Sequence, residues 1–181
     1  PYYQRYALMP FVIFAQAVEK NDPDQKIFER RDGILKKAIL TTIQQSYGGL
    51  FFPINDALKD KGIATAELLH GVAIAYDLTG DPGLLSIAKA QGQFVLTPES
   101  RAVANDVAVG KAEPFAYQTM RLSDGADGTA GALDILRASA DPKGSVVVMK
   151  NTSQGLGHGH FDKLGFIFYD NGNEIISDYG A

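Results

Sequence analysis

The chain has 181 residues, of which 45% are hydrophobic and 21% charged, and its net charge is −4 at pH 7. This length is enough for one ordinary domain with a sizeable core, and no apolar run is long enough to span a membrane. Mild acidity without a Lys/Arg run argues against nucleic-acid binding. The absence of cysteine excludes disulfides, thiol catalysis, cysteine-ligated zinc and iron–sulfur clusters.

The first part of the chain is predicted to be helical. Apolar residues occur at helical spacing or in long runs in Tyr2–Glu19, Asp24–Tyr47, Thr65–Leu78, Gly83–Gln91 and Pro98–Val109. The first helix is expected to be largely buried and kinked at Pro10. Gly48-Gly49 is expected to end the second helix. Thr97 as N-cap and Pro98 at the first helical position should start the last one.

After about residue 112 the hydrophobic period changes from helical to strand-like. Four short segments rich in Val, Ile or Phe are separated by turn residues: Ala132–Arg137, Ser145–Lys150, Lys163–Tyr169 and Glu174–Asp178. The change predicts an α+β fold, with helices in residues 1–112 and strands in residues 113–181. Asp124–Gly128 lacks the spacing of an EF-hand and is interpreted as a loop joining the two parts.

The most informative stretch is Gly155–Asp178, which holds two of the three histidines of the chain. Residues two apart in an extended chain project to the same side, so His158 and His160 can face one site. A hairpin turning at Asp170–Asn173 would return Asp178 to the base of the preceding strand. Two imidazoles and a carboxylate then converge, which suits a metal or a catalytic proton transfer.

Other interpretations of the histidines stay open. The segment from His158 to Lys163 begins like the HxHxDH motif of metallo-β-lactamase-type hydrolases, but Lys163 stands where that motif has histidine. That motif also belongs to an α/β fold, which a helical first half does not favour. Two ordinary surface histidines are less expected, because the pair is clustered with three glycines. The third histidine, His70, has apolar neighbours on a predicted helix and is interpreted as structural.

A cluster of aromatic and cationic residues, Tyr2, Tyr3, Arg5 and Tyr6, opens the first predicted helix. On spacing alone, a buried aromatic cluster with a capping cation is the favoured interpretation. The functional alternative uses a tyrosine hydroxyl as acid and base and the guanidinium to hold a carboxylate.

Three segments together resemble the heparinase II/III-like polysaccharide lyases: PYYQRYA at 1–7, GHGHFDKL at 157–164 and DYG at 178–180. Among these, the chain is most similar to the alginate (oligoalginate) lyases of polysaccharide lyase family 17. The resemblance implies part of an (α/α) toroid followed by the start of an antiparallel β-sandwich. It also implies cleavage of alginate or oligoalginate. A heparin- or heparan-type lyase of the same superfamily and a non-catalytic, zinc-stabilised carbohydrate-binding domain are the alternatives.

The resemblance implies a role for each matching residue around the substrate. Tyr3 corresponds to the catalytic tyrosine, while Arg5, His158 and Tyr2 correspond to the substrate-binding side chains. Such enzymes remove the proton at C5 of a uronic acid, next to the carboxylate, and expel the 4-O-linked sugar by β-elimination. A tyrosinate can take that proton, and the resulting phenol can return one to the leaving oxygen. Arg5 would either lower the pKa of the tyrosine or hold the substrate carboxylate.

The resemblance also implies one structural zinc ion, with His160 and Asp178 as two of its ligands. The third ligand, a histidine, and a further active-site tyrosine are expected beyond Ala181, and an Asn-His pair is expected before Pro1. The chain opens without Met and stops just after a strand, so it is interpreted as an internal piece of a longer protein. The implied partner is an acidic polysaccharide or oligosaccharide, not nucleic acid or a membrane, and a homodimer is left open. The implied location is the bacterial periplasm or the exterior.

Overall fold

A computed structural model describes residues 2–152 and 164–178, and the chain forms two compact units. Unit 1 comprises Pro1–Gln44 and Gly62–Phe115, and unit 2 comprises Gln45–Lys61 and Ala116–Ala181. Helices fill unit 1 and a sheet fills unit 2, so the α+β class is confirmed. The sequence placed the change at residues 112/113, close to Phe115–Ala116, but it grouped residues 45–61 with the helices. The structure groups them with the strands.

Five helices lie in unit 1: α1 (Tyr2–Asn21), α2 (Arg30–Gln44), α3 (Ala66–Thr79), α4 (Gly83–Gln91) and α5 (Pro98–Ala108). Helices α3 and α5 start with ordinary capping chemistry. Thr65 and Thr97 are N-caps, and their hydroxyls accept the backbone N–H of Leu68 and Ser100 at 3.4 and 3.2 Å. Gly80 ends α3 in the left-handed conformation. No helix in the described ranges is long and apolar enough to cross a membrane.

The predicted continuous helix over Asp24–Tyr47 is wrong at both ends. Two 3-10 turns, Pro23–Gln25 and Ile27–Glu29, precede α2, and Arg31, Asp32 and Gly33 have positive φ of 50°, 56° and 68°. Left-handed residues interrupt a right-handed helix. Phe28, Ile39 and Ile43 in this segment are buried as the apolar periodicity predicts, but Ile34, next to the left-handed residues, is 49% exposed.

Gly48-Gly49 makes a hairpin turn and does not cap a helix as expected. The glycines have φ of 55° and 84°, and they join strand β1 (Ser46–Tyr47) to strand β2 (Leu50–Phe51). Two central residues with positive φ make the tight turn that matches strand twist, and a Gly-Gly pair adopts it without steric cost.

Helix α1 is less buried than predicted, and it continues through Pro10. Val12 and Ala15 are buried at 0% and 1% exposure, but Phe11 and Phe14 are 65% and 70% exposed. An apolar run covers every side of a helix, whereas the described neighbours of α1 contact one side only.

A five-stranded antiparallel meander makes most of unit 2, in the order β3 (Met120–Ser123), β4 (Ala132–Arg137), β5 (Val146–Lys150), β6 (Phe166–Asp170) and β7 (Asn173–Ile176). The four predicted strands are confirmed with small shifts at their ends, and β3 was missed. The predicted turn at Asp170–Asn173 is confirmed, with positive φ at Asn171 and Gly172. Asp124–Gly128 lies in the β3–β4 hairpin loop, so it does not join the helical part to the sheet.

The β1–β2 segment is integrated into the sheet core. Tyr47, Phe52, Ile135, Val146, Val148, Ile167 and Tyr169 form one buried cluster. The Tyr47 hydroxyl donates to the carbonyl of Lys143 at 2.7 Å and accepts the backbone N–H of Gly172 at 2.8 Å. The guanidinium of Arg137 donates to the carbonyl of Ser46 at 2.8 Å. These contacts explain why residues 45–61 belong with strands that follow much later in the chain.

Gly131 should be a sensitive position of the sheet unit. Its φ is 110°, and a Cβ built there would lie 2.5 Å from Thr152 Cα and 2.6 Å from the carbonyl oxygen of Asn151. Both neighbours are backbone atoms and neither can rotate away. We expect Gly131→Ala to lower the free energy of unfolding of the purified protein by about 3 kcal/mol or more, from backbone strain plus overpacking. Urea denaturation measures this change.

Gly172→Ala is the matched control in the same unit. Gly172 also has positive φ, 80°, but only the side chain of Lys143 lies near its would-be Cβ, at 3.7 Å. It should show the strain alone, about 1 kcal/mol. Equal effects of the two substitutions would contradict the close approach of Gly131 to Asn151–Thr152.

Candidate functional site

The first turn of α1 places Arg5 against α3 within unit 1. Arg5 Nη1 donates to Glu67 Oε2 at 2.6 Å, and the two side chains are 11% and 25% exposed. Arg5 is thus a mostly buried cation that pairs with a half-buried carboxylate, and not a solvent-exposed one. Sequence analysis missed Glu67, although its position two residues after the capping residue Thr65 was a usable signal.

Glu67 is ionised and oriented by its own helix. Burial alone would raise the pKa of its carboxyl, but its backbone N–H, the charge of Arg5 and the hydroxyl of Thr65 together hold that pKa below the ordinary value of 4.5. Acidic groups at a helix N-terminus are also favoured by the helix dipole. The carboxylate therefore presents a fixed acceptor to Arg5 at neutral pH.

Tyr3 and Arg5 lie on different sides of α1. Residues two apart on an α-helix are separated by about 200° around its axis. Consistent with this, Tyr3 is 50% exposed whereas Arg5 is mostly buried. Tyr6 is 68% exposed, so the predicted buried aromatic cluster does not form from these two tyrosines. The side chain of Tyr2 lies outside the described part of the chain.

Asp178 lies in unit 2, where the chain leaves β7. It is half-buried and lines a small cavity together with Gly165 and Phe166 at the start of β6 and Lys150 at the end of β5. The predicted return of Asp178 to the base of the preceding strand is therefore confirmed. His158 and His160 lie outside the described residues, so their positions relative to Asp178 remain predictions.

Hydrogen bonds hold the residues on either side of segment 153–163, which contains His158 and His160 and is called the histidine segment below. Lys150 N–H donates to the carbonyl of Gly165 at 2.9 Å, and Asn151 N–H donates to the carbonyl of Ala132 at 2.9 Å. The Asn151 side-chain amide also donates to a carboxylate oxygen of Asp134. The chain that precedes the histidine segment is therefore held by the sheet, and Lys150 in it lines the same cavity as Asp178.

Lys150 is a buried cation that sequence analysis did not identify. It is 7% exposed, and its ammonium donates to Asn55 Oδ1 at 2.9 Å. A buried lysine normally needs such a partner. It lines the same small cavity as Asp178, the predicted zinc ligand.

Tyr169 is a second titratable group that the sequence did not single out. Burial raises the pKa of its hydroxyl well above the ordinary value of 10.0, and the charges of Glu174, Asp178 and Asp60 raise it further. Its ring stacks on Tyr47, with 4.7 Å between ring centroids. Tyr169 is therefore a protonated core residue and a poor candidate for a base.

Of the two predicted zinc ligands, Asp178 lies within the described residues and His160 does not. Among residues 2–152 and 164–178, no three His, Cys, Asp or Glu side chains cluster closely enough to hold a metal ion. Asp178 is a suitable oxygen donor placed beside the anchored end of the histidine segment. The two predicted ligands of this chain, the Asp178 carboxylate and the His160 imidazole, are donor types that zinc accepts.

Comparison with known proteins shows which class of enzymes the chain is similar to. Residues 120–181 match the family model described as "Heparinase II/III-like, C-terminal". The resemblance to the heparinase II/III-like polysaccharide lyases is therefore confirmed for the sheet-forming part of the chain.

Two relatives match the chain over all of its 181 residues. It is 58% identical to an alginate lyase of Stenotrophomonas maltophilia (strain K279a) and 59% identical to an exo-oligoalginate lyase of Saccharophagus degradans (strain 2-40). The chain spans 24% and 25% of the lengths of these relatives. The predicted similarity to alginate and oligoalginate lyases is thus confirmed across both units.

Proposed function

We propose that the full-length protein containing this chain is a polysaccharide lyase that cleaves alginate or oligoalginate by β-elimination and releases an unsaturated uronic acid. The observation that carries this proposal is identity of 58% and 59%, over the whole chain, to proteins named alginate lyase and exo-oligoalginate lyase. The family match of residues 120–181 supports the same class of enzyme.

Within this proposal, Tyr3 is the acid and base of the reaction. The Tyr3 residue is 50% exposed. As tyrosinate it takes the C5 proton, and as phenol it returns a proton to the departing 4-oxygen. Because the C–H bond is only weakly acidic, the negative charge that builds up next to the carboxylate must be stabilised. Arg5, His158 and Tyr2 are the proposed substrate-binding groups, with Arg5 holding a carboxylate through its guanidinium.

The proposal includes the architecture implied by the resemblance. The helices of residues 1–112 would be part of an (α/α) toroid. The strands of residues 113–181 would begin an antiparallel β-sandwich. The supporting observation is the antiparallel meander β3–β7, which has one buried core along its strands.

The proposal also includes one structural zinc ion, held by His160, Asp178 and a histidine outside this chain. When bound, the zinc would tie strands of the sheet together and would not take part in the reaction. What supports the proposal is the type of the donor side chains and the position of Asp178 in one cavity with Lys150 and Gly165, between which His160 lies in the sequence.

Partners and location follow from the proposed substrate. The partner is an acidic polysaccharide or oligosaccharide, with neither nucleic acid nor membrane involved, and a homodimer is compatible with it. The proposed location is the bacterial periplasm or the exterior, where such polymers are met. Both statements rest on the resemblance to the lyases.

The decisive experiment is a lyase assay of the full-length protein. We expect new ultraviolet absorbance from the unsaturated product with alginate or oligoalginate, and none with heparin, heparan sulfate or chondroitin sulfate. Product from a glycosaminoglycan but not from alginate would preserve the superfamily and reject the substrate. Sugar and zinc binding without any unsaturated product would favour the non-catalytic carbohydrate-binding domain.

A further inference from the structure

The two ends of α1 are tied to other helices by matching ion pairs. Arg5 pairs with Glu67 at 2.6 Å, and Lys20 pairs with Glu99 at 2.5 Å. Both glutamates lie two residues after a threonine N-cap, at the first turn of α3 and of α5. The same local structure therefore serves both ends of α1, but the end that carries Tyr3 uses arginine where the other end uses lysine.

We propose that Glu67 is a positioning residue of the lyase site, which orients the guanidinium of Arg5 so that a substrate carboxylate meets a fixed cation. The inference rests on the proposed function and deepens it. Glu67 acts through Arg5 and does not contact the substrate itself.

The difference between arginine and lysine supports a role beyond docking. A lysine ammonium is a compact point charge, which is sufficient to pin one helix to another, as Lys20 does. A guanidinium is planar and can hold a carboxylate at each of two edges. An arginine that is fixed by a protein carboxylate can therefore recognise a second carboxylate with little loss of side-chain freedom on binding.

The surroundings of Glu67 make it a rigid support. Leu68 and Val72, which follow it on α3, are 2% and 1% exposed, so the helix is anchored in the core of unit 1. The Thr65 hydroxyl accepts the backbone N–H of Leu68 and so caps the first turn, on which Glu67 lies. Arg5 lies two residues from Tyr3 but on the other side of α1, so Glu67 is expected to act on substrate binding and not on the tyrosine itself.

The test is steady-state kinetics of full-length variants on oligoalginate. Glu67→Ala should raise KM about tenfold, the value of one hydrogen bond to a charged group, with kcat changed much less. Glu67→Gln should keep KM near that of the wild type, because its amide oxygen still accepts from Arg5. In an Arg5→Ala background, Glu67→Ala should raise KM no further. If Glu67→Ala fails to fold, Glu67→Asp, which withdraws the carboxylate by one methylene, should raise KM in its place.

Glu99→Ala is the matched control, because it removes the equivalent ion pair at the other end of α1. It should lower Tm without changing KM. An unchanged KM in Glu67→Ala, independent effects of Arg5 and Glu67 on KM, or an equal KM increase in Glu99→Ala would each overturn the positioning role. A wild-type protein without lyase activity would instead reject the proposed function, and this inference with it.

Discussion

Replacing Tyr3 with phenylalanine should reduce the lyase rate of the full-length protein by roughly 10²–10⁴, the usual contribution of a positioned proton-transfer group. The change removes one oxygen and little volume. Tyr3 is 50% exposed, so packing and Tm should change little. Because the hydroxyl acts in the transition state, kcat should fall while KM stays near that of the wild type. Steady-state kinetics together with a thermal melt give both quantities.

Two neighbouring tyrosines provide the controls for Tyr3. Tyr6 is also exposed, at 68%, and lies about one helical turn along α1 on the same side as Tyr3. Because the acid and base role is assigned to Tyr3 alone, Tyr6→Phe should retain nearly full activity. Tyr2→Phe tests the register of the motif. If Tyr2→Phe is the inactive variant, the catalytic assignment is displaced by one residue and Arg5 must be reassigned with it. A Tyr3→Phe protein with a normal rate but a lowered Tm would show that Tyr3 is a packing residue.

His160→Ala should remove the zinc of the full-length protein, from about one ion per molecule to almost none. A structural zinc site is normally four-coordinate, and losing one imidazole leaves too few ligands to hold the ion tightly. Asp178→Asn should weaken binding as well, since an amide is a poorer ligand than a carboxylate. Metal analysis after exhaustive dialysis measures the content directly.

The other histidines separate zinc binding from catalysis. His158→Ala should retain its zinc but lose activity, because His158 is assigned to the substrate. His70 is a half-buried residue of α3. His70→Ala should retain both zinc and activity. A wild-type protein without zinc, or unchanged zinc in His160→Ala, would reject the assignment.

Much of the secondary structure follows from local sequence signals. The strand Ala132–Arg137 and the helix Gly83–Gln91 were predicted with their observed bounds, because apolar period and flanking turn residues agree there. The return of Asp178 to the start of β6 also followed from the short hairpin at Asn171-Gly172. These features depend on residues that are close in sequence.

The errors arise where a distant contact decides the outcome. Gly48-Gly49 suits either a helix end or a two-residue hairpin turn. The contacts of Tyr47 with Lys143 and Gly172 favour the hairpin. Phe11 and Phe14 look like core residues, yet composition cannot tell which side of a helix has a neighbour. Glu67 and Lys150 escaped notice for the same reason, since their partners lie 62 and 95 residues away.

Unit 2 is built from two segments that are far apart in the sequence, and this has a consequence for biosynthesis. Its first segment, Gln45–Lys61, leaves the ribosome before the helices of residues 62–115, whereas its strands are made afterwards. The hydrogen bond from Gly172 to Tyr47 closes a loop of 125 residues, and contacts of such long range form slowly. Phe52 is fully buried in the finished fold. In the nascent chain its side chain therefore lacks its apolar neighbours until β4–β6 are complete. Apolar surface that is exposed during this interval makes the unfinished chain prone to aggregation.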